Sequence, residues 1–172
     1  RCKSGRKPAL QAARDAFYKG DIAHAIVEYH KKNDGLMTMD DMATFSVDVE
    51  PSYSVAFENA RVHSCGPWCQ GPVLLQMLAL LKDVEVRSMG HNSTEYIHWV
   101  VEAMKLAFSD REKHYADPKF TAVPLDQLLS DEYSAKQREK IRVNRATNDV
   151  QAGDPNLCSS RPRTDSKPPM DT

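Results

Sequence analysis

A helix-rich α/β fold, of the α+β kind in which a few strands stand apart from the helices, is predicted by three features of the sequence. The stretch from His91 to Pro118 repeats apolar residues at Ile97, Val100/Val101, Met104, Ala107/Phe108 and Tyr115, the three-to-four spacing of one helical face. Between Phe45 and Ser64 the period shortens to β-rich runs, and Val73 to Leu81 is apolar nearly all round, as in a helix buried on most sides. The chain has 172 residues, 41% hydrophobic and 27% charged, enough for one globular core but not comfortably for two domains.

In order, Ala9 to Tyr18 places Leu10, Ala13 and Phe17 on one helical face, and Lys19-Gly20 closes that helix. Asp21 is placed to cap a second helix, Ile22 to Lys32, with Ile22, Ile26 and Tyr29 inward. Asn33-Asp34-Gly35 stops it, and Thr38, with Asp41 three residues on, caps a short helix through Ala43. Val47 and Val49 alternate with acidic residues, Pro51 interrupts, and Tyr53, Val55, Phe57 and Val62 follow. Two or three strands are expected there, with Glu58-Asn59 as a turn. Gly66 to Pro72 is dense in glycine and proline and reads as a loop, before the Val73 to Leu81 helix turns Leu74, Leu75, Leu78 and Leu81 to a core.

The central helix carries its own start and stop. Asn92, Ser93 and Thr94 each offer a side-chain oxygen to first-turn amides, Glu95 stands three after Asn92, and Asp117-Pro118 ends the run. At 1.5 Å per residue it spans roughly 33 Å. Leu125 to Leu129 reads as a short helical turn, and Glu132 to Arg142 as a charged helix capped by Ser130 or Asp131. Asn144 to Asp171 holds few large apolar residues, so residues 1–142 are expected to form the folded part and 143–172 a flexible tail.

Lys plus Arg number 23 against 24 Asp plus Glu, which offers no basic excess to nucleic acid or an anionic membrane. No apolar run approaches the ~20 residues of a membrane span. The chain opens on Arg1 without an initiator methionine, as a processed product or part of a longer chain would, so the lack of a signal peptide assigns no location. Cys2, Cys65, Cys69 and Cys158 lack zinc spacing, and Cys65 and Cys69 have one residue more between them than a thioredoxin-type motif, so buried thiols are expected. His98 with Glu102 and Asp110 with His114 have the i,i+4 spacing of metal pairs, but no third ligand stands at motif spacing, and both pairs read as charged positions of a half-exposed helix. Asp110-Arg111 reads as a structural ion pair beside a core. Asn92-Ser93-Thr94 is a formal glycosylation sequon that fits helix capping equally well. No glycine-rich phosphate loop or Gly-x-Ser-x-Gly elbow occurs, so no cofactor and no self-contained active site are expected.

Several separate motifs, in order, resemble one family. They are Arg14-Asp-Ala-Phe-Tyr-Lys-Gly-Asp-Ile-Ala23, Gly35-Leu-Met-Thr-Met-Asp-Asp-Met-Ala43, Glu102-Ala-Met-Lys-Leu-Ala-Phe-Ser-Asp-Arg111, Tyr115-Ala-Asp-Pro118 and Leu128-Leu-Ser-Asp-Glu-Tyr133. Together they resemble the γ-glutamyltransferase (γ-glutamyltranspeptidase) family from about Arg14 to Ile141.

The resemblance implies an αββα sandwich of the N-terminal-nucleophile hydrolase type, made as a precursor that cleaves itself into a large and a small subunit with a threonine at the new N-terminus. The chain is then the C-terminal half of the large subunit up to the junction, its partner the small subunit, and its substrate a γ-glutamyl amide. Thr172 is either the nucleophile or the residue before it, or else the ordinary end of a truncated chain. Family precedent favours a periplasmic, secreted or cell-surface location. Gly66-Pro-Trp-Cys-Gln-Gly-Pro72 departs from the Pro/Ser-rich segment of many members and is similar to those acting on other acyl amides. The family's carboxylate-binding arginine and oxyanion-hole groups have no counterpart in this chain, so the chain alone is expected to be inactive. The other reading of the sequence is a stand-alone helical interaction domain without catalysis.

Overall fold

A computed structural model describes residues 5–157, which fall into two compact units that divide between Glu50 and Pro51. The division differs from the single folded part expected over residues 1–142.

In the first unit, α1 (Arg6–Tyr18) and α2 (Asp21–Lys32) pack together and α2 meets α3 (Met39–Thr44). Asp21 begins α2 inside the helix and makes no side-chain cap; Gly20 holds the cap position. The stop is as expected: Asp34 takes a left-handed φ of 55°, and the Gly35 amide donates to the His30 carbonyl at 2.8 Å. That pairing satisfies a carbonyl the helix end leaves open. Thr38 and Asp41 form the predicted reciprocal box: the Asp41 amide donates to Thr38 Oγ1, and the Thr38 amide to Asp41 Oδ2 at 2.8 Å. The buried face of α2 is Ala23 and Val27 against Met42, with Tyr18, Ile26 and Met39 around them, whereas Ile22 and Tyr29 are exposed. The face expected from the sequence is one residue out of phase with the buried Ala23 and Val27.

The second unit is built round one helix. Strands β1 (Tyr53–Phe57) and β2 (Ala60–Ser64) form an antiparallel hairpin in which Tyr53 faces Ser64 and Phe57 faces Ala60. The turn is Glu58-Asn59, with Glu58 at a left-handed φ of 50°. Val47 and Val49 join no strand and are exposed. Helix α4 (Gly71–Leu81) then packs on both strands, on α5 (Thr94–His114) and on α7 (Asp131–Arg138). Contact on so many sides is the reason its sequence is apolar nearly all round. Val55 and Leu75 share one cluster with Leu125 and Leu129, at either end of α6 (Leu125–Leu128). Leu80 and Leu81 share another with Ala103, Leu106 and Ile141. Arg138 closes the far end of α4: its guanidinium donates to the carbonyls of Leu80 at 2.7 Å and Ala79 at 3.2 Å and pairs with Asp83 at 2.9 Å.

Ser93 is the cap of α5, accepting from the Tyr96 amide at 3.1 Å, and Asn92 takes a left-handed φ of 57° instead of capping. The apolar stripe expected to face inward divides: Ala107 is buried and Val100 and Tyr115 pack on core clusters, whereas Ile97, Val101 and Met104 are exposed, and the buried face is Glu102, Ala103, Leu106, Ala107 and Asp110. Ser130 caps α7, accepting from the Tyr133 amide at 3.2 Å. Beyond α7 the chain does not leave the unit at Val143. Residues 143–153 return along α5, and Pro155–Leu157 makes a 3₁₀ turn against α6. The described part of the expected tail is therefore held, and residues 158–172 lie outside the described residues.

Leucines 74 and 75, both expected inward, separate cleanly: Leu75 is 0% and Leu74 49% exposed. Leu75→Ala should destabilise the unit by about 2–5 kcal/mol through lost burial and a cavity. Leu74→Ala should cost under about 1 kcal/mol. Urea unfolding of the two variants reads the difference, and equal effects would refute the placement of α4.

Candidate functional site

One polar side of α5 holds the chain segment that leads toward the C-terminus. His98 Nε2 donates to the Arg142 carbonyl at 2.8 Å, Glu102 accepts from the Thr147 amide at 3.2 Å, and Lys105 Nζ donates to the Thr147 carbonyl at 3.0 Å. Ser109 Oγ donates to the Val150 carbonyl at 3.1 Å, Asp110 accepts from the Gly153 amide at 2.8 Å, and His114 Nε2 donates to the Gly153 carbonyl at 2.9 Å. Side chains three and four apart on a helix share a face, so one stripe reaches about 24 Å of returning chain at 1.5 Å per residue. The segment runs parallel to the helix, and Val150 adds an apolar contact with the Leu106 cluster.

Two carboxylates anchor the ladder, and neither is the exposed charge expected from the sequence. Glu102 is 3% exposed; burial pushes its pKa up, but hydrogen bonds from Lys105 at 2.6 Å and from Thr147, with the lysine's charge, outweigh this and hold it below the usual glutamate value. Asp110 is 2% exposed and accepts from three neutral donors: Gln76 Nε2 at 2.9 Å, Tyr133 OH at 2.8 Å and the Gly153 amide. Tyr115 OH donates to Gln76 Oε1 at 2.5 Å, and burial, followed by the Asp110 charge, raises the phenol's pKa well above its ordinary value. The expected Asp110–Arg111 pair does not form. Asp110 turns inward, while Arg111 pairs with Glu112 and lies over the Phe108 ring with 5.8 Å to its centroid. The i,i+4 pairs His98/Glu102 and Asp110/His114 each take backbone atoms of the returning chain.

Gly153 is the point where the ladder is tightest. A Cβ there would lie 2.0 Å from Gln137 Nε2 and 2.1 Å from Tyr133 OH, both on side chains that are themselves buried. Sequence reasoning missed Gln76, Tyr133 and Gly153. A lone glutamine in the otherwise apolar VLLQMLALL was the available signal for the first. Thr172, expected as the nucleophile or the residue before it, lies outside the described residues. At the C-terminal end of α5, a cleft is lined by Trp68, Cys69, Gln70, Arg111, Tyr115 and Asp117.

A family model described as gamma-glutamyltranspeptidase matches residues 9–171. The chain is 34% identical over 131 residues to the glutathione hydrolase-like YwrD proenzyme of Bacillus subtilis (strain 168), covering 76% of this chain and 25% of that one. It is 31% identical over 133 residues to the glutathione hydrolase proenzyme of Escherichia coli (strain K12), covering 77% and 23%. The chain thus spans about a quarter of the length of these curated relatives. Among solved structures, the cephalosporin acylase from Bacillus halodurans superposes with a TM-score of 0.71 at 32% identity, over 82% of this chain and 26% of that one.

Two outcomes test the ladder. Gly153→Ala should force the returning segment off Tyr133 and Gln137, at about 1–3 kcal/mol of overpacking, and expose residues 142–157 to limited proteolysis. An unchanged digestion pattern would refute the close packing. Glu102, whose folded pKa is depressed, contributes stability present above its ordinary value of 4.5 and lost as pH falls through the folded pKa. The urea midpoint of the wild type should therefore exceed that of Glu102→Gln at neutral pH and converge on it in acid.

Proposed function

This chain belongs to the gamma-glutamyltranspeptidase family, and on that premise we propose that it is the C-terminal part of the large subunit of a self-processing, threonine-dependent enzyme that transfers or hydrolyses a γ-glutamyl amide. The observation that carries this reading is the α5 ladder, which brings the chain to a fixed, buried point at Gly153 on its way to Thr172. The family match runs over residues 9–171, and both curated relatives are named proenzymes.

In this reading the Thr172 hydroxyl attacks the carbonyl carbon of Asp171, the C–N bond breaks to free the Thr172 α-amine as the peptide becomes an ester, and water then hydrolyses the ester, releasing the Asp171 carboxylate and restoring the hydroxyl. That amine, with an unperturbed pKa of about 7.7–8.0, acts as base for its own hydroxyl in the acyl transfer that follows. The acyl group passes through a threonine ester to water or to an amino acid. The partner is the small subunit of the same precursor, which supplies the groups that hold substrate. In this reading the ladder and the Asp110 network act as scaffold.

A second reading differs in substrate: an acylase acting on another acyl amide. It is favoured by the segment Gly66 to Pro72, where Trp68 and Gln70 help line a cleft with Arg111 and Tyr115, and by the likeness to the Bacillus halodurans cephalosporin acylase.

A precursor continued past Thr172 should yield a new N-terminal threonine by mass spectrometry, with Thr172→Ala uncleaved and Thr172→Ser, which keeps a hydroxyl, still cleaved. Cleavage of the alanine variant at that bond would end the assignment. The present chain alone should not turn over a γ-glutamyl anilide, and measurable hydrolysis would overturn the subunit reading.

A further inference from the structure

Cys65 and Cys69 bracket the turn that leads from β2 into α4, and they are not the buried thiols the sequence suggests. Cys65 is exposed and Cys69 half-buried. Their sulfurs lie 2.8 Å apart, nearer than unbonded atoms of that size rest. The turn is compact: the Cys69 amide donates to the Gly66 carbonyl at 3.3 Å, and the Cys69 thiol donates to the same carbonyl at 3.5 Å. The Gly71 amide, in the first turn of α4, donates to Cys69 Sγ at 3.2 Å. The approach depends on Gly71. A Cβ there would lie 2.0 Å from Ser64 Oγ and 2.9 Å from Cys65 Sγ, so a side chain would push the end of β2 away from the helix.

We propose that Cys65 and Cys69 form a redox-active dithiol, a thiol–disulfide exchange site that reacts with small-molecule disulfides. Only a short movement separates the two sulfurs from the ~2.05 Å of a bond. Accessibility assigns the steps. The exposed Cys65 thiolate attacks one sulfur of the external disulfide, forming a mixed disulfide and releasing one thiolate. Cys69, whose sulfur already accepts the Gly71 amide proton as a thiolate would, then attacks the Cys65 sulfur and releases the second thiolate. Two protein thiols are oxidised to one disulfide, the external disulfide is reduced to two thiols, and the two protons pass to the released thiolates. The closed ring ties the end of β2 to the start of α4 and fixes the loop that carries Trp68 at the wall of the cleft shared with Arg111 and Tyr115. The inference stands apart from the threonine chemistry proposed above.

The test reads both sulfurs in one peptide. Trypsin cuts after Arg61 and Lys82, which separates residues 62–82 from Cys2 and Cys158. The whole chain, equilibrated in mixtures of reduced and oxidised glutathione, quenched in acid and alkylated, should carry this peptide from doubly alkylated to unalkylated and lighter by two hydrogens as the oxidised share rises. Cys69→Ser should stop at a glutathione adduct on Cys65, about tenfold more abundant than in the wild type, because the resolving thiolate is gone. Cys65→Ser should accumulate far less adduct. A peptide that stays doubly alkylated throughout, or a wild type that accumulates the mixed adduct, would overturn the proposal. The wild-type measurement needs no substitution, so it decides the matter even where a variant fails to fold.

Discussion

The larger unit depends on one buried carboxylate. Asp110 receives hydrogen bonds from α4 through Gln76, from α7 through Tyr133 and from the returning chain through the Gly153 amide. Removing an ion from water costs several kcal/mol after relaxation, and the cost is tolerated only where its lone pairs are met. Three neutral donors meet them, and their directions leave little freedom. The Asp110 carboxylate only accepts, so the Gln76 amide presents Nε2 to it; Oε1 then faces Tyr115, whose hydroxyl is the donor. The chain of donors from Tyr115 through Gln76 to Asp110 therefore has one polarity. Apolar contacts at Leu75 or Leu106 could slide by fractions of an ångström, whereas this network sets the register of α4, α5 and α7 against each other.

Helix ends are legible in the sequence because they are local. Thr38 with Asp41, Ser130 before α7, Asn33-Asp34-Gly35 after α2 and the Glu58-Asn59 turn are each decided within a few residues, and each is found in place. Helix faces are less legible. On α5 the apolar stripe through Ile97 and Met104 is the natural candidate for the core, yet both are exposed while Glu102 and Asp110 are buried beside Ala103, Leu106 and Ala107. Periodicity registers how apolar a face is and is blind to a partner distant in sequence that can satisfy a charge. The donors that make Asp110 buriable come from residues 76, 133 and 153.

The order of residues 143–157 is hidden from the sequence for the same reason. Asn, Asp, Ser and Arg there suggest a segment unable to bury enough to remain ordered. The segment is held mainly through its backbone, whose amides and carbonyls pair with side chains of α5, so its own side chains carry little of the signal. The motifs spread from Arg14 to Tyr133 identify the family more securely than any periodicity does. They fall on the turn between α1 and α2, on α3 and its cap, on both the polar and the apolar buried positions of α5, and at the start of α7. A scaffold of that kind is compatible with more than one substrate, as relatives bearing glutathione hydrolase and cephalosporin acylase names illustrate.

The strength of the ladder is uneven along its length, and the gradient has a direction. At the Arg142 end, His98 makes an exposed contact, and Lys105, which supports Glu102, is a third exposed. At the Gly153 end the bond to Asp110 is buried, and breaking it strands a charge away from solvent. His114 holds the carbonyl of the same residue, and Lys136 holds the Leu157 carbonyl at 2.8 Å just beyond. Local opening follows the cheapest bonds first. The exposed His98 contact at Arg142 thus opens before the bonds that Thr147 and Gly153 make to the buried Glu102 and Asp110.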